Sequence, residues 1–269
     1  MRIRIIDAFT EEAFRGNQAG VCVLPAGDWP DEGWMQRVAA ELNCAETAFT
    51  RPVGDQWGLR WFTPATEVAM CGHATLATAH ALHEDGLADE ARFDTLSGSL
   101  GTSVGVGGLI TMDFPASPPV ATEPPPSLVD SLGVSPLGVY DTGDLGDLLV
   151  ELPSALSVRD LRPNLAGLAE LGTRCVIVTA PAEPGSGQDF VSRVFCPGVG
   201  VPEDPVTGSA HTALGPFWGA RLGATSLVGL QASPRSGQVR VELKGSRVIL
   251  QGYAVTVLDG VLTEKAVNP

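Results

Sequence analysis

Two glycine-led tetrapeptides stand at matching points of the 269-residue chain, Cys71-Gly72-His73-Ala74 and Thr207-Gly208-Ser209-Ala210. Each opens a run of small and apolar residues with helical character. Gly72, His73, Gly208 and Ser209 therefore fall in first turns, where backbone N–H groups have no acceptor within the helix. Such groups, with the helix dipole behind them and no side chain on the glycine, suit a carboxylate. The plainer alternative for either glycine is a tight turn that only starts a helix. Glu46, in Asn43-Cys44-Ala45-Glu46-Thr47-Ala48-Phe49, lies in an apolar, strand-like stretch where an unpaired charge is costly. Burial there is expected to raise its pKa toward neutrality and to fit it for taking a proton from carbon and returning it. A solvated strand face is the alternative. His73 is the one histidine at a helix opening, able to exchange a proton near pH 7. Asp204, just ahead of Pro205, is placed either to accept a substrate N–H or O–H or to cap the helix that follows.

Other chemistries find less support. His80 and His83 are three residues apart but have no evident third ligand, and His211 is expected to pack on its helix, so no metal site is expected. The chain contains no G-x-x-x-x-G-K-[ST], no G-x-G-x-x-G between a strand and a helix, and no G-x-S-x-G. Lysine occurs only at positions 244 and 265, which leaves weak candidates for a pyridoxal Schiff base. An enzyme without a cofactor is the simpler expectation.

The elements that must position these residues follow from periodicity and punctuation. Helices are predicted at 29–42 and 72–84, the second ending before Gly86, and strands at 45–50, 57–62, 92–96, 100–106 and 109–114. The second half repeats the grammar, with helices at 158–171, despite Pro163, and 208–222, and strands at 174–179, 190–195, 238–243 and 248–257. Between the halves, residues 115–127 hold six prolines in thirteen positions and read as an extended linker. Phe62-Thr63-Pro64 and Glu67 precede the first glycine motif, as Phe195-Cys196-Pro197 and Glu203 precede the second. The two glycines stand 136 residues apart, about half the chain, as expected of an internal duplication. The predicted organisation is an N-terminal domain at 1–114, a linker at 115–127 and a C-terminal domain at 128–269.

Lys and Arg number 17 against 31 Asp and Glu, a net charge of -14 that disfavours nucleic acid and anionic membrane partners. No apolar run approaches the ~18 residues needed to span a bilayer. The five cysteines are odd in number, widely spread and without a C-x-x-C pair, which suits a reducing compartment better than a disulfide framework. A cytoplasmic protein is expected.

Together, Asp7-Ala8-Phe9-Thr10, Phe14-Arg15-Gly16-Asn17-Gln18-Ala19-Gly20-Val21, Glu46-Thr47-Ala48-Phe49, Phe62-Thr63-Pro64, Cys71-Gly72-His73-Ala74-Thr75 and Asp204-Pro205-Val206-Thr207-Gly208-Ser209-Ala210-His211 resemble the phenazine-biosynthesis PhzF-like family, nearly end to end and in the family's order. The resemblance implies an α+β, diaminopimelate epimerase-like fold. In that fold two similar domains each wrap a curved, mostly antiparallel sheet around a central helix, with the active site between them and a final strand near 258–269 returning to the first domain. It further implies Glu46 as the proton-shuttling acid–base. His73 and Asp204 would hold polar groups of the substrate, while Ser209 and the backbone of Gly72, His73 and Gly208 would grip a carboxylate. The family's namesake moves a proton between ring carbons of a dihydro-hydroxyanthranilate without metal or cofactor, and its members are commonly homodimers.

The expectation is thus a cofactor-independent isomerase of a small carboxylated, cyclic or amino-bearing metabolite, assembled as a homodimer. A cysteine-dependent epimerase is the nearest rival. Related epimerases and proline racemases use two opposed thiols. Cys71 occupies the first thiol position, but Thr207 occupies the second, and a hydroxyl is far too weak an acid to match a thiol near pKa ~8.5. The third possibility is a carboxylate-binding protein with no catalysis.

Overall fold

The structure, a computed structural model, describes residues 1–267. Residues 268 and 269, the end of both the expected returning segment 258–269 and the expected domain 128–269, lie outside the described residues. The chain forms two compact units, one from residues 1–113 together with the segment from 251 onward, the other from residues 114–250.

The first unit begins with β1 (Arg2–Ala8) and β2 (Asn17–Val23), then α1 (Glu32–Leu42), β3 (Glu46–Val53), β4 (Gln56–Phe62), β5 (Glu67–Val68) and α2 (Gly72–Glu84). It continues with β6 (Glu90–Thr95), β7 (Gly98–Val104) and β8 (Ile110–Pro115). Helix α1 starts three residues later than predicted because Asp31 is its cap, its carboxylate accepting from the Trp34 N–H at 2.9 Å. Helix α2 matches its predicted span. It is buried on almost every side and packs against β1, β2, β3 and β7. Its Ala74, Ala77, Ala81 and Leu82 meet Ile6, Ala19, Val21, Leu59, Trp61 and Phe93 in one core. A helix rich in alanine can be enclosed this way, because short side chains let the strands approach from all sides.

The second unit contains β9 (Val120–Ala121), α3 (Leu128–Leu132), β10 (Gly138–Asp141), β11 (Leu148–Glu151), α4 (Ala155–Arg159), α5 (Leu165–Ala169) and β12 (Val176–Pro181). Then follow β13 (Phe190–Cys196), β14 (Val201–Asp204), α6 (Gly208–Leu222), β15 (Ser226–Gln231), β16 (Gly237–Lys244) and β17 (Arg247–Gly252). The last elements are β18 (Ala254–Val261), which pairs antiparallel with β1, and α7 (Glu264–Val267).

Several local expectations are corrected. The helix predicted at 158–171 is two short helices, because Pro163 lacks an N–H and cannot continue the first. Nη1 of the buried Arg193 donates instead to the carbonyls of Val158 and Leu161, at 3.2 and 2.7 Å. The strand predicted at 248–257 is two strands, β17 and β18. The proline-rich stretch is not bare linker. It includes β9, which pairs with β10, and its Ser117 N–H donates to the Thr212 carbonyl at 3.0 Å. That carbonyl is available because Pro216, four residues on in α6, has no N–H to offer it.

Both units follow one topology. In the first, β1–β2 is antiparallel, β2–β3 parallel, β3–β4 antiparallel, β4–β6 parallel and β6–β7 antiparallel. In the second, β10–β11, β11–β12, β12–β13, β13–β15 and β15–β16 repeat that alternation. A bidentate ion pair also recurs ahead of each glycine-led helix. Arg60 donates through Nε and Nη2 to Glu67 at 2.7 and 2.6 Å, and Arg193 to Glu203 at 2.7 and 2.9 Å.

Cys175 and Cys196 are joined as a disulfide, contrary to the expectation from cysteine spacing. The antiparallel pairing of Val176 with Phe195 brings the flanking cysteines opposite one another, although they are 21 residues apart in sequence. The pair removes the cysteine argument on which the cytoplasmic expectation rested. Among the described residues, no helix is long and apolar enough to cross a membrane.

Candidate functional site

In the first unit, Glu46 is the opening residue of β3 and lies level with Ala19 of the parallel strand β2. β2 itself starts at Asn17, directly after Gly16. Gly16 adopts φ 63°, and a Cβ there would collide with the Ala8 carbonyl oxygen, so the approach to Asn17 demands glycine. Cys71 is the extended N-cap of α2, and its own side chain makes no capping hydrogen bond.

These elements deliver a compact cluster. His73 Nε2 lies 3.1 Å from Glu46 Oε2, and the Asn17 carboxamide meets His73 Nδ1 at 3.2 Å. Cys71 Sγ sits 3.5 Å from Nδ1 and 4.0 Å from Nε2. His73 and Cys71 are each 6% exposed, whereas the Glu46 side chain is 20% exposed, so the cluster opens to solvent at the carboxylate.

The electrostatics reverse one expectation. Burial does push Glu46 toward a higher pKa, but the charge and hydrogen bond of His73 outweigh it and hold the carboxyl below its ordinary value. Burial likewise pulls His73 down, yet Cys71 and Glu46 beside it keep the imidazole well above 6.5. The Cys71 thiol is pushed up to about 11, first by burial and then by the Glu46 charge.

In the second unit, Asp204 ends β14 and Thr207 is the extended N-cap of α6. Gln231, fully buried at the end of β15, clips this loop. Its Nε2 donates to the Asp204 carbonyl at 2.8 Å and to Thr207 Oγ1 at 3.1 Å, while its Oε1 accepts from the Thr207 N–H at 2.8 Å. Because Thr207 Oγ1 accepts a hydrogen bond from Gln231, its own hydroxyl donates to Asp204 Oδ2, 2.5 Å away. Gly208 is buried and Ser209 half-buried at the first turn of α6. Ser209 Oγ accepts from Arg174 Nη2 at 3.2 Å, and the same nitrogen donates to Asp147 at 2.6 Å. Burial raises the Asp147 carboxyl to about 6 against the opposing pull of Arg174.

The structure thus brings Glu46, Gly72 and His73 together in one unit, and Asp204, Gly208 and Ser209 together in the other. Asn17, Gln231 and Arg174 carry contacts that sequence reasoning did not assign. Asn17 belongs to the Phe14–Val21 motif, which carries no local sign of His73 as its partner. Gln231 and Arg174 carry no local signature. His211 packs as expected: it is buried against Phe190, its Nδ1–H donates to the Thr207 carbonyl at 2.9 Å, and burial lowers its pKa to about 4. His80 and His83 pair with Glu84 and Asp89 at 3.2 and 2.6 Å.

Comparison with known proteins places this geometry among relatives. Residues 6–260 match the family model described as phenazine biosynthesis-like protein. A protein of Halalkalibacterium halodurans named as an uncharacterized isomerase is 47% identical over 260 residues, covering 95% of this chain and 96% of that protein. The crystal structure of a PhzF-family phenazine biosynthesis protein from Enterococcus faecalis superposes with a TM-score of 0.90 at 40% identity, covering 96% of this chain and 97% of that one. A probable proline racemase from Agrobacterium radiobacter, 12% identical, shares the fold alone, with a TM-score of 0.64 over 100% of this chain and 94% of its own. The fold is α+β and diaminopimelate epimerase-like.

Proposed function

The chain belongs to the phenazine biosynthesis-like (PhzF-like) family, and from that premise we propose that it is an isomerase moving a proton between carbon atoms of a small carboxylated, cyclic or amino-bearing metabolite. Glu46 takes and returns the proton, and no cofactor takes part. The observation that carries this reading is the 3.1 Å contact between His73 Nε2 and Glu46 Oε2. That contact turns Oε2 inward to His73, so Oε1 is the oxygen assigned to the substrate C–H bond. A single carboxyl that removes and redelivers the proton works on one face of the substrate. The first-turn N–H groups of Gly72 and His73 suit the substrate carboxylate. Asp204, Gly208 and Ser209 are assigned to binding polar and anionic groups, with Gln231 and Arg174 holding Asp204's loop and Ser209 in place. A homodimer is the proposed assembly, to be checked by light scattering.

Substrate is sought first by thermal shift against small amino and hydroxy carboxylates, anthranilate analogues included, because a ligand that binds only the folded state raises its melting temperature. With a substrate in hand, Glu46→Gln is expected to fold normally and bind it while turnover falls about 10²–10⁴-fold, the range of general acid–base contributions. Turnover at the wild-type rate overturns the assignment. The nearness of Cys71 to His73, 3.5 Å, favours the cysteine-dependent epimerase as second reading. A thiol held near 11 is a poor proton donor and acceptor at neutral pH, so Cys71→Ser is expected to keep turnover within about tenfold. Loss of turnover in that variant, with inversion and deuterium uptake at carbon in the parent, moves the conclusion to the thiol.

A further inference from the structure

We propose that Arg174 is a specificity-determining residue, binding a carboxylate group of the substrate through Nη1 beside the Ser209 hydroxyl. The inference rests on the assignment of Ser209 to an anionic group of the substrate and adds a charged ligand to it. A guanidinium has five N–H donors in one fixed plane. Nε of Arg174 donates to the Leu145 carbonyl at 3.0 Å, and Nη2 donates to Asp147 at 2.6 Å and to Ser209 Oγ at 3.2 Å. Three donors are thereby spent, and the two on Nη1 have no acceptor among the described residues. Ser209 Oγ accepts from Arg174, and its own proton likewise has no acceptor among them. Arg193 shows the contrasting case of an arginine spent wholly on the fold. Its side chain is 7% exposed, Glu203 holds its Nε and Nη2, and the carbonyls of Val158 and Leu161 hold its Nη1.

Arg174 is also held in position before any ligand arrives. Its N–H donates to the Gly146 carbonyl at 2.8 Å, the carbonyl of the adjoining Cys175 accepts from the Leu148 N–H at 2.9 Å, and Cys175 is tied to Cys196. The Arg174 side chain is 37% exposed and that of Asp147 0%, so the ion pair has a protein side and an open side. A side chain already immobilised by its neighbours loses little freedom when it binds. Nη1 and the Ser209 hydroxyl then offer donors to two oxygens at once. A carboxylate presents acceptors to both, whereas the corresponding amide turns an NH2 donor toward one of them. The bond to the charged group is also the stronger, so this corner selects an acid over its amide.

Binding is read without any turnover. Full-length protein with isotopically labelled arginines is titrated with anthranilate and, separately, with its neutral amide, anthranilamide. The Arg174 Nε–H signal is followed by NMR and identified by its absence in Arg174→Lys. Anthranilate is expected to shift that signal saturably, and anthranilamide to leave it in place. By calorimetry, Arg174→Gln should weaken anthranilate binding about 10–100-fold, the range for a hydrogen bond to a charged group. Arg174→Lys, which keeps the charge but not the planar fork, should recover part of that loss. An arginine that served only to prop Ser209 would have no effect once Ser209 is alanine, so the loss on Arg174→Gln should persist in a Ser209→Ala background. If Arg174→Gln alone fails to fold, the Asp147→Asn, Arg174→Gln double variant takes its place, because it strands no buried carboxylate. An Arg174 signal unmoved by anthranilate, an equal shift with anthranilamide, or a loss that disappears in the Ser209→Ala background overturns the inference. A chain that binds anthranilate through Arg174, yet turns over a substrate normally as Glu46→Gln, keeps this inference and loses the proposed function.

Discussion

Glu46 and His73 each hold the other in its charged form against the desolvation that burial imposes on both. The consequence for stability runs in opposite directions with pH. His73, raised in the fold, contributes stability that is fully present below its unfolded value of ~6.5 and is lost as pH rises through the folded one. Glu46, lowered in the fold, contributes stability that is present above ~4.3 and is lost as pH falls through its folded value. The wild-type advantage over Glu46→Gln in melting temperature should therefore be greatest between about pH 4.3 and 6.5 and shrink on either side. Thermal unfolding across a pH series checks this, and a difference independent of pH contradicts the ion pair. Glu46 and His73 were legible in sequence because a charged residue in an apolar strand and a histidine behind a helix-opening glycine are unusual placements. The direction of the Glu46 shift was not legible. Sequence reports the apolar neighbours that desolvate a carboxyl, but not an imidazole brought to it from 27 positions away.

Elements show the same division between local and distant information. The two glycine-led helices were readable over their full lengths because alanine-rich composition, an opening glycine and a closing glycine are all local signals. The split of the predicted 158–171 helix was signalled by Pro163, but the chain's way of satisfying the freed carbonyls depends on Arg193, some thirty residues later. β9 escaped notice inside a proline-rich stretch because a two-residue strand is defined by its partner and not by its own sequence. The Gln231 clip is the strongest case. Its three hydrogen bonds reach back 24 to 27 residues to a loop that has no other fixed conformation evident in sequence. Gln231→Leu keeps the approximate volume while leaving the Thr207 N–H and the Asp204 carbonyl without these partners. Urea unfolding should show a loss of about 1–3 kcal/mol, the range for stranding buried polar groups. A variant as stable as wild type means that the loop has other means of support.

For the molecule as a whole, the duplication anticipated from paired motifs is expressed as a repeated strand alternation and a repeated arginine–glutamate pair in front of each central helix. The disulfide has no counterpart in the first unit. Closing a loop of this size restricts the unfolded chain by about 3 kcal/mol, so reduction or Cys175→Ser should lower the urea midpoint of the second unit's transition, and equal midpoints with and without reductant contradict the bond. The pairing of β1 with β18 carries a different kind of consequence. Residues 114–250 form a continuous unit, whereas β1, at residues 2–8, meets its β18 partner only after residues 254–261 have been synthesised. During translation the middle of the chain can therefore fold while the N-terminal strand still waits at one edge. Of the two units, the one that carries Glu46 and His73 is completed later, so a ribosome that stops short of β18 releases a protein whose second unit is whole and whose Glu46–His73 pair sits in an unfinished sheet.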